Sequence, residues 1–204
     1  MNQAKPSAYH IVIPARFASE RLPGKVLLDL AGKPLLQNLW QRACESAADS
    51  VVIATDDERI VGKARAFGAR VVMTSPDHQS GSDRIAECAK ALSWPDDHLV
   101  VNLQGDEPLM PSACLDQVAA LLDKRPDCEV ASLYWPIDDA SEVQNPNAVK
   151  VVTDAKGRAL YFSRSPVPYA RSYASIGEAM TAGIVWQRHL GLYAYRLAAL
   201  RRYT

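Results

Sequence analysis

Short runs rich in β-branched residues alternate with longer amphipathic stretches along the first two thirds of the chain. Residues 9–14, 50–55, 70–73 and 98–103 have the composition of strands, and segments with helical spacing of apolar residues lie between them. Strands that are joined through helices pair in parallel, because the long crossover returns the chain to the same edge of the sheet. The pattern therefore predicts an α/β fold with a mainly parallel, doubly wound sheet.

The rhythm changes in the last third of the chain. Residues 148–162 contain two apolar runs around a glycine turn and predict a β-hairpin, whereas the proline-rich and tyrosine-rich residues 163–182 predict a loop. We therefore expect residues 1–136 to form the α/β core. Residues 137–204 are expected to add a smaller antiparallel layer to the same domain.

Composition argues against several classes of partner. The 204 residues include 23 Lys and Arg and 23 Asp and Glu, so the formal net charge is zero. General binding to nucleic acid or to an anionic membrane needs excess positive charge, so neither is expected. The four cysteines stand far apart, no apolar run approaches the ~18 residues of a membrane span, and no secretory signal is found. We expect a cytoplasmic protein with reduced thiols.

The loop after the first predicted strand concentrates positive charge. Arg16, Arg21 and Lys25 fall within ten residues, with Gly24 beside the lysine. Arg offers paired donors and Lys a point charge, so three such cations at the carboxyl end of a strand predict a polyphosphate site. The segment lacks the upstream glycine of a P-loop, so its geometry must differ. Solvated surface cations are the alternative interpretation.

Adjacent carboxylates follow the fourth predicted strand, in the segment Gln-Gly-Asp-Glu-Pro at residues 104–108. Mg²⁺ binds one or two carboxylates together with phosphate oxygens. Asp106 would lie across the crevice from the cationic loop, so it is the candidate ligand for Mg²⁺. A tight turn built from Asp and Gly is the alternative.

Two further segments carry dense polar side chains. Residues 74–84 offer hydrogen-bonding groups that suit the edge of a nucleobase or a ribose, although an N-cap on a surface loop would look the same. Arg164 and residues 188–193 supply cations and hydroxyls that could bind an acidic, polyhydroxylated co-substrate. A lone histidine such as His189 is more often structural than catalytic.

Taken in order along the chain, these segments resemble the 3-deoxy-manno-octulosonate cytidylyltransferase family. Single motifs occur in other sugar nucleotidyltransferases, but their co-occurrence over nearly the whole chain is specific. The matching motifs lie at residues 13–19, 21–25, 54–56, 77–81, 104–108, 145–152, 161–164 and 188–193. The resemblance implies a fold like that of the nucleotide-diphospho-sugar transferases.

The activity implied by the resemblance is transfer of CMP from CTP to 3-deoxy-D-manno-octulosonate (Kdo). The products are CMP-Kdo, used in lipopolysaccharide biosynthesis, and pyrophosphate, and the enzyme would be a cytoplasmic, Mg²⁺-dependent homodimer. Residues 1–136 would bind the nucleotide, and residues 137–204 would bind the sugar and form the dimer.

The resemblance also carries residue roles onto this sequence. Arg16, Lys25 and Asp106 would be catalytic, with Asp106 as the metal ligand. The nucleotide would be bound by Arg16, Ser19, Arg21, Lys25, Ser80, Gly81, Arg84 and Gln104. The sugar would be bound by Gln104, Arg164, His189 and Tyr193.

Members of the resembled family continue beyond the position of Thr204, with a helix that contacts the sugar and a strand whose Asp-Thr-Pro-Glu-Asp type sequence supplies a further metal ligand. We therefore expect a truncated chain that loses catalysis more readily than CTP binding. Two alternatives stay open. One is a cytidylyltransferase for a related acidic sugar, such as 8-amino-Kdo or a sialic acid, and the other is an inactive CTP-binding fragment.

Overall fold

A computed structural model describes residues 8–18, 22–105 and 107–204. None of the helices in these ranges has the length and apolar character that a membrane crossing requires. The strands are β1 (Tyr9–Ala15), β2 (Asp29–Leu30), β3 (Lys33–Pro34), β4 (Ser50–Thr55), β5 (Arg70–Met73), β6 (Leu99–Asn102), β7 (Val130–Ile137), β8 (Lys150–Thr153), β9 (Ala159–Ser163) and β10 (Trp186–Arg196). The helices are a 3₁₀ turn (Lys25–Leu27), α1 (Leu35–Cys44), α2 (Glu58–Ala66), α3 (Gly81–Ala91), α4 (Ser112–Asp123), α5 (Ala140–Gln144), α6 (Ile176–Thr181) and α7 (Leu197–Tyr203).

The chain divides into two compact units. Unit 1 comprises Met1–Ala131 and Leu192–Thr204, and unit 2 comprises Ser132–Gly191. The last residues of the chain thus return to unit 1. The predicted division by function, into residues 1–136 and 137–204, stays a prediction.

Unit 1 is built on a mainly parallel sheet, as the alternation of strands and helices predicts. Its strand order is β5-β4-β1-β6-β10, in which β5, β4, β1 and β6 are parallel and β10 runs antiparallel to β6. From β1 the chain first moves outward to β4 and β5 and later returns to add β6 on the other side. Because right-handed crossovers in opposite directions place helices on opposite faces, the sheet is doubly wound.

The core of unit 1 follows from the composition of its strands. All four residues of β6 are buried, as expected for a central strand that has helices on both faces. On one face, Val12 and Val52 pack with Ile85 of α3 and with Leu197 and Leu200 of α7. Helices α1 and α4 pack against each other and against the strands of the same sheet. This core fixes the strand ends from which the candidate site is built.

Unit 2 is smaller and antiparallel. Strand β8 pairs with β9 in the predicted hairpin and with the first part of β10. Its core consists of Ile137, Val143, Ala179 and Trp186. The hairpin turn ends at Gly157, whose φ of 79° is a conformation that favours glycine.

The predicted loop at residues 163–182 is wrong in part, because α6 occupies Ile176–Thr181. Ser175 caps this helix by accepting a hydrogen bond from the N–H of Glu178 at 3.2 Å. Ile176 and Met180 pack against the core of unit 2. A cap and a short apolar face therefore stabilise a six-residue helix that is too short to show periodicity in the sequence.

Candidate active site

The crevice of a doubly wound sheet lies where the strand order reverses, at the carboxyl ends of the two strands on either side. In unit 1 these strands are β1 and β6. They pair in parallel with Val12 opposite Asn102, and the N–H of Leu103 continues the ladder by donating to the carbonyl of Val12 at 3.1 Å. The loops that follow β1 and β6 therefore leave the sheet side by side.

Three segments meet around Pro14 at this edge. A Cβ added to Gly105, after β6, would lie 3.4 Å from the carbonyl oxygen of Pro14 and 3.4 Å from Val26 of the 3₁₀ turn. A Cβ added to Gly81, the first residue of α3, would lie 3.5 Å from the Pro14 ring. Main chain from the loop after β1, the loop after β6 and the start of α3 is thus brought together, as the sequence predicts.

The loop after β1 turns back on itself through Gly24. The N–H of Gly24 donates to the carbonyl of Phe17 at 2.8 Å, and its φ is 70°. A Cβ at this position would also lie 3.0 Å from the Phe17 ring, so both the backbone and the available space require glycine. Lys25 begins the 3₁₀ turn directly after it. Ser19 and Arg21, which were predicted to bind the nucleotide, lie outside the described residues.

Arg16 extends from the end of β1 to the loop between β5 and α3. Its Nη2 donates to the backbone carbonyl of His78 at 2.8 Å. A guanidinium has five N–H donors, so this hydrogen bond orients Arg16 without exhausting its capacity to bind phosphate oxygens. The predicted cationic residue is therefore held at the predicted edge.

The same loop is anchored by a residue that the sequence analysis does not identify. Glu87 on α3 accepts a hydrogen bond from the N–H of Ser75 at 2.9 Å, and the same oxygen contacts Nε2 of His78. Burial alone would raise the pKa of Glu87, but the Ser75 and His78 hydrogen bonds and the charges of His78 and Arg84 lower it below its ordinary value. The sequence offers one signal for this residue. Glu87 lies three residues after Arg84, so in a helix the two side chains lie on the same face.

Ser80 and Gly81 begin α3. The hydroxyl of Ser80 accepts from the N–H of Asp83 at 3.1 Å, while the N–H of Ser80 donates to the Asp83 carboxylate at 2.9 Å. This reciprocal pair is a capping box, which confirms the N-cap that the sequence analysis weighed for this segment. Ser80 is exposed, and its hydroxyl also donates to the Asp83 carboxylate at 2.8 Å.

Arg84 lies inside unit 1, with 0% of its surface exposed. Its Nη2 forms an ion pair with Asp56 at 2.7 Å, and Nη1 donates to the hydroxyl of Thr74. Arg84 thus joins the carboxyl ends of β4 and β5 to the first turn of α3. It lies beneath the segment that was predicted to contact the nucleoside, and a direct contact with ligand stays a prediction.

The candidate metal site is centred on Asp106, which lies outside the described residues. No cluster of three or more His, Cys, Asp and Glu suited to a metal is found in the described part of the chain. The neighbouring Gln104 is half-buried, and Gly105 leaves room for close approach of the backbone. One carboxylate combined with the phosphate oxygens of a nucleotide is a donor set that fits Mg²⁺.

Tyr193 stands next to the end of β6. It is the register partner of Asn102 and stacks with Tyr195 at a centroid distance of 5.9 Å. Burial, with a smaller contribution from Tyr195, raises the pKa of Tyr193, so its hydroxyl is a neutral donor at physiological pH. Unit 1 thus places Tyr193 opposite Asn102, which lies two residues before Gln104.

The other two predicted sugar ligands belong to unit 2. Arg164 is exposed and donates to the carbonyl of Pro146 at 2.8 Å, while its own carbonyl accepts from the buried Lys150 at 2.7 Å. Lys150 also donates to the carbonyls of Asn145 and Ala148. Burial and the charge of Arg164 lower the pKa of Lys150, and Glu142 opposes this shift. Arg164 is therefore positioned through backbone contacts on both sides.

His189 is held by Ser132 and Phe162. The Ser132 hydroxyl donates to the carbonyl of Leu190 at 3.0 Å, so at the 2.8 Å contact it accepts from Nε2 of His189. The Phe162 ring packs edge-on, with the ring centroids 4.8 Å apart. Burial lowers the pKa of His189, so the neutral ring with its proton on Nε2 predominates at physiological pH.

The chain is similar to known cytidylyltransferases along almost its whole length. The cytidylyltransferase family model matches residues 10–204. A 3-deoxy-manno-octulosonate cytidylyltransferase of Pseudomonas syringae pv. syringae is 50% identical over 97% of this chain and 78% of that protein. One from Chromohalobacter salexigens is 52% identical over 95% of this chain and 76% of that protein.

A solved structure gives the same result. It is a CMP:2-keto-3-deoxy-manno-octonic acid synthetase in complex with CTP, which is 40% identical and covers 97% of this chain and 77% of that chain, with a TM-score of 0.87. The geometry, the family model and the relatives agree with the resemblance derived from the motifs. The chain belongs to the cytidylyltransferase family, within the group of the 3-deoxy-manno-octulosonate cytidylyltransferases.

Proposed function

We propose that this protein transfers CMP from CTP to the anomeric hydroxyl of Kdo and releases pyrophosphate. The observation that carries the proposal is the meeting of three segments around Pro14, which sets Arg16, Gly81 and Gly105 at one edge of the sheet. The relatives are 40–52% identical to this chain, and their names support CTP and Kdo as the substrates.

The triphosphate is assigned to the cationic loop. Arg16, Lys25 and, outside the described residues, Ser19 and Arg21 would bind its oxygens. The nucleoside is assigned to Ser80, Gly81 and Gln104, with Arg84 beneath them. Support comes from the position of these residues after β1, after β6 and at the start of α3.

The sugar is assigned to Gln104, Arg164, His189 and Tyr193. Arg164 would pair with the carboxylate of Kdo, because a guanidinium binds a carboxylate through two donors. A neutral His189 and a neutral Tyr193 suit hydroxyl groups, since each ring can hydrogen-bond without carrying a charge.

The transfer itself demands positioning rather than covalent catalysis. The anomeric hydroxyl of Kdo attacks the α-phosphorus of CTP and loses its proton to solvent as the new O–P bond forms. The bond between the α-phosphorus and the bridging oxygen breaks in line with it, and pyrophosphate leaves with that oxygen. Arg16 and Lys25 stabilise the charge that develops on the phosphate oxygens and on the departing pyrophosphate. No residue of the chain needs to form a covalent intermediate.

Mg²⁺ is the proposed cofactor, with Asp106 as its ligand from the chain and the substrate phosphates supplying further oxygens. When bound, the metal would neutralise phosphate charge. The residues of the chain would bind and orient the two substrates.

A cytoplasmic homodimer is the proposed state. In unit 2, the consecutive residues Leu160, Tyr161 and Phe162 of β9 are 66%, 62% and 45% exposed. Apolar residues exposed on both faces of one strand favour burial against a second copy. Sedimentation equilibrium would give twice the monomer mass, and Leu160→Lys should lower that mass, whereas a monomeric wild type would contradict the assignment.

The activity is tested by pyrophosphate release from the purified 204-residue chain with CTP, Kdo and Mg²⁺. Release that stops when any one component is omitted supports the proposal. Replacing Kdo by 8-amino-Kdo or a sialic acid tests the sugar, because the better substrate has the higher kcat/KM. Calorimetric binding of CTP without any release would instead favour a nucleotide-binding protein.

A further inference from the structure

Residue Glu87 lies on α3, one turn beyond the residues assigned to the nucleotide, and no step of the proposed transfer uses it. Its carboxylate joins two points of the loop between β5 and α3, the N–H of Ser75 at 2.9 Å and Nε2 of His78. The carbonyl of His78 in turn accepts the hydrogen bond from Arg16 at 2.8 Å. A continuous chain of contacts therefore runs from Glu87 to the guanidinium of Arg16.

We infer that Glu87 is a positioning residue, which acts through His78 to hold Arg16 in the orientation that binds the triphosphate. This inference deepens the proposed function and rests on its assignment of Arg16. The His78 side chain is 22% exposed and the Glu87 side chain 38% exposed, so the pair lies at the rim of the unit rather than in its core. A rim pair adds little to folding stability.

The cost of ordering Arg16 depends on the loop that carries its hydrogen-bond acceptor. An Arg side chain has many rotamers, and ordering it for a phosphate costs conformational entropy at the moment of binding. A carbonyl that already accepts from Nη2 reduces this cost, provided that the carbonyl itself is fixed. Glu87 fixes it from two directions, through the backbone at Ser75 and through the side chain of His78.

The primary test compares Glu87→Gln with the wild-type chain by calorimetric titration with CTP and by steady-state kinetics. Gln keeps the size of the side chain but removes the charge that attracts His78. We expect KM and Kd for CTP to rise about tenfold while kcat changes less than about threefold, as for the loss of an outer partner of a ligand-binding residue. Lys90→Gln, an exposed change on the same helix, is the matched control and should leave both constants unchanged.

A double variant separates positioning from general loosening of the fold. If Glu87 acts through Arg16, then Glu87→Gln should have almost no further effect on kcat/KM in the Arg16→Ala background. A full tenfold loss in that background would overturn the inference. His78→Gln, which keeps an N–H donor for Glu87, should retain more CTP affinity than His78→Ala.

The outcomes distinguish this inference from the proposed function. Wild-type chain that binds CTP but forms no product contradicts the proposed transfer, and the Kd values of the variants then decide the role of Glu87. Wild-type chain that binds no CTP overturns both. Normal transfer with an unchanged KM in Glu87→Gln leaves the function standing and overturns the positioning role.

Discussion

The two ends of the parallel sheet in unit 1 differ in how fully their buried polar groups are hydrogen-bonded. At the amino end, His10 stacks on Trp94 with a centroid distance of 4.0 Å, and its two ring nitrogens contact His98 at 2.8 Å and Ser50 at 3.0 Å. At the carboxyl end, Nε of Arg84 and Oδ1 of Asn102 are buried without a hydrogen-bond partner among the described residues.

The difference indicates that the carboxyl end is the end suited to a ligand. Buried polar atoms in folded proteins are nearly always paired, so an orphaned atom calls for an explanation of its own. Among the described residues, the buried His10 at the amino end is hydrogen-bonded through both ring nitrogens, and no glycine there approaches a neighbouring strand end. The carboxyl end combines unpaired atoms with two close glycines, Gly81 and Gly105. Changes at the two ends should therefore separate activity from stability.

The largest expected effect is a loss of folding stability, caused by a change at the carboxyl end. Asp56→Ala leaves the guanidinium of Arg84 buried without its partner carboxylate. Breaking a buried ion pair from one side costs about 3–5 kcal/mol in the free energy of unfolding. Urea denaturation measures this loss, with the exposed Asp97→Ala as control, and a loss below about 1 kcal/mol would mean that the pair contributes little.

Arg16→Ala is expected to change activity and leave stability alone. Removing a preorganised donor from a charge-stabilising site lowers the rate by about 10² to 10³. The free energy of unfolding should stay within about 0.5 kcal/mol, because Arg16 is only partly buried. The pair of measurements is kcat/KM for pyrophosphate release and urea denaturation, with Lys63→Ala on the exposed face of α2 as control. A near-normal rate would contradict the assignment of the loop after β1 to the triphosphate.

Strand positions in unit 1 could be predicted from sequence almost to the residue. Residues 50–55 and 70–73 coincide with β4 and β5, because each contains a β-branched run and is followed by a polar residue. The apolar run at residues 190–195 predicts a last strand, but β10 extends further, over Trp186–Arg196. Its polar residues Gln187 and Arg188 obscure the pattern, since their place in β10 depends on pairing with β8.

The site was predictable as a set of loops but not as a set of contacts. Arg16 and Gly81 could be assigned because parallel strands place their carboxyl ends together. The burial of Arg84 could not be predicted, because tertiary packing decides whether a cation in the first turn of a helix faces solvent or core. The link from Glu87 to His78 also depends on how the loop turns, which no local pattern in the sequence determines.

At the amino end, acid should destabilise the fold through His10. Burial, followed by repulsion from His98 and Arg70, lowers the pKa of His10 to about 4, and Asp49 acts in the opposite direction. The unfolded chain binds this proton near pH 6.5, so the stabilisation present above that pH is lost as the pH falls towards 4. The loss is on the order of 2–3 kcal/mol.

The test compares unfolding free energies between pH 7.5 and pH 4.5 for the wild type and for His10→Phe, which keeps a ring over Trp94. Between these pH values, the unfolding free energy of the wild type should fall more steeply with decreasing pH than that of the variant. The difference in slope should correspond to the uptake of about one proton on unfolding. Pyrophosphate release measured at pH 7.5 should be the same for both, since His10 lies at the far end of the strands. Equal slopes would show that His10 is not the group that titrates.

The smallest expected effect decides whether Ser80 is only a cap. Ser80→Ala and Ser175→Ala each remove a hydroxyl that accepts from the first turn of a helix, α3 in unit 1 and α6 in unit 2. Each should cost about 1 kcal/mol of unfolding free energy. If Ser80 also contacts the nucleotide, only Ser80→Ala should raise KM for CTP, by about 3- to 10-fold for one neutral hydrogen bond. Equal KM values in the two variants would confine Ser80 to holding the start of α3, so that recognition at this edge would fall to Gly81 and the surrounding backbone.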